Sequence, residues 1–324
     1  MAEFRRHALN SRTPEESTNA GLWLDKYLLD DKDDAKKNLV YQVVEKIKIS
    51  EAYKKFYQKW EAELTTRGVQ LKQAEPLGRL AINLGAESTL ENSIALNRTY
   101  GVPYIPGSAL KGLAASYARK SVKNFDDKIH ADIFGTQDSA GWVIFYDALL
   151  VPNGKLGLVP DVVTVHHPEY YQKENVPPAD WDSPIPIHFL SVSGTFSIAL
   201  SGPDNLVQAT FDILALALAK EGIGAKTNSG YGRMQVEGYD VDGKPKKKKE
   251  PQEIPAGYLS GVVKTVKESF AFIQPDSGGK DIFVHFKDLA DGLKSLKEKQ
   301  RVIFKTKAGK KKDELQAIDV RLAE

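Results

Sequence analysis

Apolar residues recur along this chain with two different spacings, and the change from one to the other marks its layout. Between Val40 and Leu64, Val43, Ile47, Tyr53, Phe56, Tyr57 and Trp60 lie broadly on one face of a helix, with Lys and Glu opposite. A shorter helix is expected over Leu22–Leu29, so residues 1–68 read as mainly helical after an irregular start. From residue 69 to 241 the pattern turns to strands separated by short helices. Strands are predicted over Arg79–Leu84, Trp142–Leu150, Leu156–His166, Ile185–Leu200 and Gly232–Val241, and helices over Ser108–Arg119 and Leu206–Lys220. This mixture predicts an α+β fold with a largely antiparallel sheet. Residues 242–256 contain Pro245, Lys246–Lys249, Pro251 and Pro255, a composition that predicts a linker able to reach about 45 Å when extended. Strand-like alternation resumes over 257–324.

Composition adds limits. At 324 residues and 41% hydrophobic, the chain can build one large or two moderate cores. It has no cysteine, which excludes a disulfide framework, a thiolate metal site and a thiol nucleophile. The first residues lack the apolar stretch of a signal peptide, and the longest all-apolar run, Ile213–Ala219, is far too short to span a bilayer. A cytoplasmic location is the expectation. The net charge of +2 hides an asymmetry: residues 244–324 hold 19 Lys+Arg against 12 Asp+Glu (+7), leaving 26 against 31 (−5) elsewhere. A basic module on a nearly neutral body is the simplest reading.

Gly222–Arg233 reads Gly-Ile-Gly-Ala-Lys-Thr-Asn-Ser-Gly-Tyr-Gly-Arg. Glycines permit positive φ and close approach of the backbone to a partner. Lys226 and Arg233 add charge, Thr227 a hydroxyl and Tyr231 a flat face, which suits a phosphate-rich polymer. A P-loop is excluded, because Ala225 precedes Lys226 and the segment follows a helix instead of opening one. One or two of the glycines fit a helix C-cap and turn; all four, with Lys and Arg between them, favour a ligand-contacting loop. The second informative segment is Pro103–Gly112, Pro-Tyr-Ile-Pro-Gly-Ser-Ala-Leu-Lys-Gly. Ser108 is expected to cap the following helix, so that Gly107, Ser108 and Lys111 form an anion site at its start. Gly112, inside the helix, suggests that another backbone or a bulky ligand passes close by.

These two segments resemble the RAMP (repeat-associated mysterious protein) superfamily of CRISPR effector subunits, marked by an Ile-Pro-Gly-Ser-x-Leu-Lys-Gly helix start and a late glycine-rich loop. Asn19–Tyr27, Leu84–Ser88 with Glu91, Tyr100–Tyr104, His166–Tyr171 and Ile185–Leu190 are similar to the sixth-subunit family of the type III-B Cmr complex. Asn97 departs from that pattern, which has histidine there. The resemblance spans about residues 19–240 and implies a ferredoxin-like (RRM-like) core. It further implies a non-catalytic capping subunit that binds guide RNA and target RNA beside backbone RAMP subunits and the first Cmr subunit.

Residues 257–324 resemble a cold-shock domain, a five-stranded OB barrel, through Gly261–Lys264, Phe270–Ile273 and Asp281–Phe286. Alternation puts Phe270 with Phe272, and Phe283 with His285, on one outer face, while Ile273, Ile282 and Val284 point inward. Exposed aromatics on such a face stack on single-stranded bases. Alternation buries Phe286, whereas the family pattern sets it on the nucleic-acid side. Thr265-Val266, Ser269 and Ala271 replace residues typical of the family, so two stacking platforms are missing. A structural barrel that docks protein is the competing reading.

Catalysis has weak support. His130 near Asp132, the His166-His167 pair and Asp138 are the candidates for an endoribonuclease that processes guide RNA or cuts target RNA. Adjacent strand histidines point in opposite directions, and His130 is expected to be exposed. No metal-ligand spacing occurs, and no cofactor is expected.

Overall fold

The computed structural model describes residues 9, 11–165, 177, 180, 184–246, 255, 257–290, 293, 295–308 and 315–322. The chain divides into two compact units, Met1–Lys246 and Lys247–Glu324.

The first unit opens with α1 (Ala20–Lys26), α2 (Asp33–Lys46) and α3 (Glu51–Thr66). The single helix expected over Val40–Leu64 is two, because Ile47–Ser50 is extended and buries both Ile47 and Ile49. Ser50 then restarts the helix, its hydroxyl accepting the Tyr53 N–H at 3.3 Å. Next come β1 (Gln70–Pro76), β2 (Tyr104–Ile105), α4 (Gly107–Ser121), α5 (Asp127–Phe134), β3 (Ile144–Phe145) and β4 (Ala148–Leu150). They are followed by β5 (Leu158–Val165), β6 (Ile185–Val192), β7 (Phe196–Ser201), α6 (Asp204–Lys220) and β8 (Met234–Val236).

The main sheet runs β2-β4-β7-β1-β8, with β3 also on β7, and every pairing is antiparallel. Within it, β1, α4, β4, β7, α6 and β8 follow one another as strand, helix, two strands, helix, strand, with β2 and β3 as additional short strands. That is the expected ferredoxin-like core. Leu110, Ala114, Phe211, Leu214 and Leu218 from the helices bury against Ala74, Phe196, Ile198 and Leu200 of the sheet. Two expected strands change character. Arg79–Leu84 is irregular apart from one bridge, Leu80 to Val192, although Leu80, Ala81 and Ile82 are buried. Ile185–Leu200 breaks at Gly194 (φ +119°), so β6 pairs with β5 in a separate ribbon and β7 joins the main sheet.

Asp242–Lys246, read as the start of the linker, folds back on the first unit. The Lys246 N–H donates to the Gly238 carbonyl at 2.8 Å, and a Cβ on Gly243 would stand 2.5 Å from the Ala215 carbonyl oxygen. Most of the lysine run lies outside the described residues.

The second unit is a closed five-stranded barrel of β9 (Leu259–Val266), β10 (Phe270–Pro275), β11 (Ile282–His285), β12 (Arg301–Ala308) and β13 (Leu315–Leu322). Its order is β10-β11-β13-β12-β9, with β11 and β13 parallel. Val263, Ile273, Ile282, Val284, Val302, Phe304 and Val320 fill it. Alternation therefore read the barrel interior correctly.

Candidate nucleic-acid interface

The glycine loop has a rigid base and an open tip. Gly222, Gly224, Gly230 and Gly232 all have positive φ. A Cβ on Gly224 would stand 2.4 Å from the Ala81 carbonyl oxygen, and one on Gly232 2.1 Å from that of Ile223. Gly222 likewise packs on the Gly232 carbonyl carbon, which its Cβ would meet at 3.0 Å. Three of the four glycines therefore have a reason inside the protein, namely backbone on backbone. The base is closed by Ile223 N–H to Gly232 carbonyl at 2.9 Å, Ala225 N–H to Ala81 at 2.7 Å and Gly232 N–H to Arg79 at 2.8 Å. The tip is a short 3₁₀ turn, Thr227–Ser229, between Lys226 and Gly230. Asn228, Ser229, Gly230 and Arg233 are exposed, and a Cβ on Gly230 would meet nothing within 4 Å. Lys226 is half-buried and itself left-handed, φ +58°. That conformation costs a non-glycine residue about 1 kcal/mol.

Tyr231 is held from the side. Its hydroxyl donates to Asp161 Oδ2 at 2.5 Å, and Arg79 donates to the same oxygen at 3.0 Å. Burial and the Asp161 carboxylate push the Tyr231 hydroxyl up to about 12. Burial alone would raise the Asp161 carboxyl, but hydrogen bonds from Tyr231, the Val162 N–H and Arg79 outweigh it and hold the group below its ordinary value. A depressed carboxyl stabilises the fold above its unfolded pKa, and that contribution disappears as pH falls through the folded value. The lock is therefore closed at neutral pH and opens in acid. Asp161→Ala should lower stability by about 1–2 kcal/mol at neutral pH, and Asp161→Asn by less, since an amide oxygen still accepts from Tyr231. Denaturant midpoints at pH 7 check the order, and the difference should shrink in acid.

At the start of α4, Pro106 occupies the capping position and Ser108 is an exposed residue of the first turn, with no side-chain cap. The expected Ser108 cap is replaced by Asp147, whose Oδ1 accepts the Gly107 N–H at 2.8 Å. Glycine is required at 107 because a Cβ there would stand 2.4 Å from the Phe145 carbonyl oxygen. Pro106 and Ala109 line a cleft of about 350 Å³ with Ile223 and Gly224, so the helix start and the loop base do meet. Lys111 sits about 200° around the helix from Ala109. It is not among the residues that line the cleft. Gly112 is exposed, and no described residue outside its own helix comes within 4 Å of a Cβ placed there.

On the barrel, Phe270, Phe272 and Phe283 form one half-exposed cluster. Phe283 stands 5.4 Å from Phe270 and 5.9 Å from Phe272 between ring centroids. His285 pairs with Phe270 across the strands, and its Nδ1 accepts the Lys287 N–H at 3.2 Å, which leaves Nε2–H directed elsewhere. Phe286 begins a 3₁₀ turn and packs against the barrel core, as alternation required.

The RAMP superfamily pattern matches residues 73–235. Cmr6 of Pyrococcus furiosus, a CRISPR system Cmr subunit, is 33% identical over 251 residues, which cover 58% of this chain and 74% of that protein. The chain belongs to the RAMP superfamily. Its C-terminal unit matches the cold-shock DNA-binding domain over residues 259–323. There the cold shock-like protein CspA of Bordetella pertussis is 49% identical over 55 residues, 16% of this chain and 82% of that one. In fold, the RAMP protein is also similar to a chain in a cryo-EM structure of Type III-B Cmr-beta bound to cognate target RNA. That likeness has a TM-score of 0.51 at 21% identity and covers 62% of this chain and 70% of that one. A Cmr6-like RAMP protein carrying a fused cold-shock domain accounts for both units.

The catalytic candidates of this RAMP protein are scattered. His130 is 8% exposed, against the expectation of an exposed residue, because α5 turns it inward beside Phe134, 5.1 Å between centroids. Burial and the Arg119 charge lower its pKa. Its Nδ1 lies 3.4 Å from an Arg119 nitrogen, and its Nε2 has no hydrogen-bond partner among the described residues. Asp138 is exposed in a turn, and the Asp132 side chain makes no hydrogen bond among the described residues. His166 and His167 lie outside the described residues. Among those described, no three His, Cys, Asp or Glu side chains could hold a metal, and no helix is long and apolar enough to cross a membrane.

Proposed function

We propose that this protein is a non-catalytic RNA-binding subunit of a type III-B CRISPR effector ribonucleoprotein. It holds guide RNA and target RNA and docks against backbone RAMP subunits and the first Cmr subunit. The observation that carries the reading is Lys226. Among four glycines, the sequence keeps a lysine at a left-handed position where a fifth glycine would relieve strain. Lys226 and Arg233 form no ion pair among the described residues, so both charges are available to phosphates. Thr227, Gly230 and Tyr231 complete the contact surface, which Gly222 and Gly224 support from beneath. Gly107 and Ser108 flank the same cleft, with Lys111 outside it. The cold-shock unit adds Phe270, Phe272, Phe283 and His285 as stacking groups, with Phe286 behind them, and tethering makes a weak stack effective. The inward turn of His130 favours binding over acid–base cleavage.

The test is Lys226→Ala with Arg233→Ala. Each phosphate contact to a single strand contributes about 0.7 to the slope of log K against log salt, so losing two flattens it by about 1.4. Because that term vanishes near 1 M salt, affinity at about 0.15 M should fall roughly tenfold for every RNA sequence. An unchanged slope removes the assignment. Site-specific cuts by the purified chain that disappear with His130→Ala would replace it with a nuclease.

A further inference from the structure

A cavity of about 550 Å³ opens between α1 and residues 83–98. It shares Asn83, Ile94 and Leu96 with the cleft beside Gly224, so the two cavities adjoin. Its charged lining balances: Asp25 and Glu87 face Lys26 and Arg98. A neutral balance is a poor phosphate site. Buried Leu24, Leu90 and Leu190 supply apolar walls. Asn83, Asn92 and Ser93 line it as well, and none of the three side chains hydrogen-bonds to a described residue. Asn83 is held at φ +63°, fixing where its side chain starts.

Apolar walls with free carboxamides and no net charge match a nucleobase. Single-stranded RNA is read by splaying bases out and hydrogen-bonding their edges, and a carboxamide pairs bidentately with the N6/N7 edge of adenine. The volume lies within the range of sites that enclose small organic groups. We propose that this cavity takes one unstacked base, adenine best, from an RNA strand whose backbone lies along the glycine loop. The inference rests on the RNA-binding reading above and adds a base-selective subsite to it.

Short oligo-A, oligo-U and oligo-C of equal length, bound to the full-length protein, test it without any assumption about register. The native chain should favour oligo-A over the others by about tenfold. Asn92→Leu, similar in size but unable to pair, should abolish that ratio while leaving the salt slope unchanged, since no phosphate contact is lost. Ser93→Ala, a milder change, should reduce the ratio and serves as the second variant if Asn92→Leu does not fold. Tight, salt-sensitive binding with the same base ratio in the native chain and in the folded variants overturns this inference alone. Absence of any RNA binding overturns the parent reading together with it.

Discussion

Gly232→Ala should cost at least about 3 kcal/mol of stability, whereas Gly230→Ala, two residues away, should cost about 1 kcal/mol. Both glycines have positive φ, +79° and +88° respectively, so both variants carry the strain of a left-handed alanine. Only Gly232 adds a collision, 2.1 Å from the Ile223 carbonyl oxygen and 2.9 Å from its nitrogen. Neither neighbour can yield, because Ile223 N–H is already bonded to the Gly232 carbonyl and Gly232 N–H to that of Arg79. Denaturant midpoints of the two variants check the difference. Equal losses would mean that the base of the loop is not clamped as described.

The second large effect is expected on the barrel. A base stacked on an aromatic ring contributes about 1–3 kcal/mol, so Phe283→Ala should weaken binding of the full chain to single-stranded RNA by about tenfold or more. Phe270→Ala and Phe272→Ala should give comparable losses, because each of the three rings adjoins the other two. The three rings lie outside the barrel core, so the midpoint of unfolding should barely move. Stacking is not a phosphate contact, and the salt slope should stay as it was. Unchanged affinity with intact folding would reassign this face to a protein partner.

What could be read from the sequence depended on where each signal was stored. Alternation over Phe270–Ile273 and Ile282–His285 separated the barrel interior from its aromatic face because every outward ring has an inward aliphatic neighbour. α6 was legible from Phe211, Leu214, Ala215 and Leu218. β1 was not: Gln-Leu-Lys-Gln-Ala-Glu-Pro buries only Ala74, and its place between β7 and β8 is set by main-chain pairing. The loop's glycines stood out, but the backbone that three of them pack against did not, since Ala81 and Ile223 become their neighbours only in three dimensions. Asp161 and Asp147 were missed for the same reason. They lie 70 and 40 residues from Tyr231 and Gly107, and an isolated aspartate carries no local pattern. α5 was missed although Asp126 caps it, since its run of charges resembled a solvated loop.

Asp147 also has a consequence for how a strand could travel over the protein. The start of α4 already has a resident carboxylate, and a covalently attached competitor acts at high effective concentration. Any visiting phosphate must displace it or share space with a like charge, so a nucleotide would pause there only briefly. In the proposed RNA-binding role, positional grip would then fall to Lys226 and Arg233, and the stretch near α4 would let RNA shift along its axis before it settles.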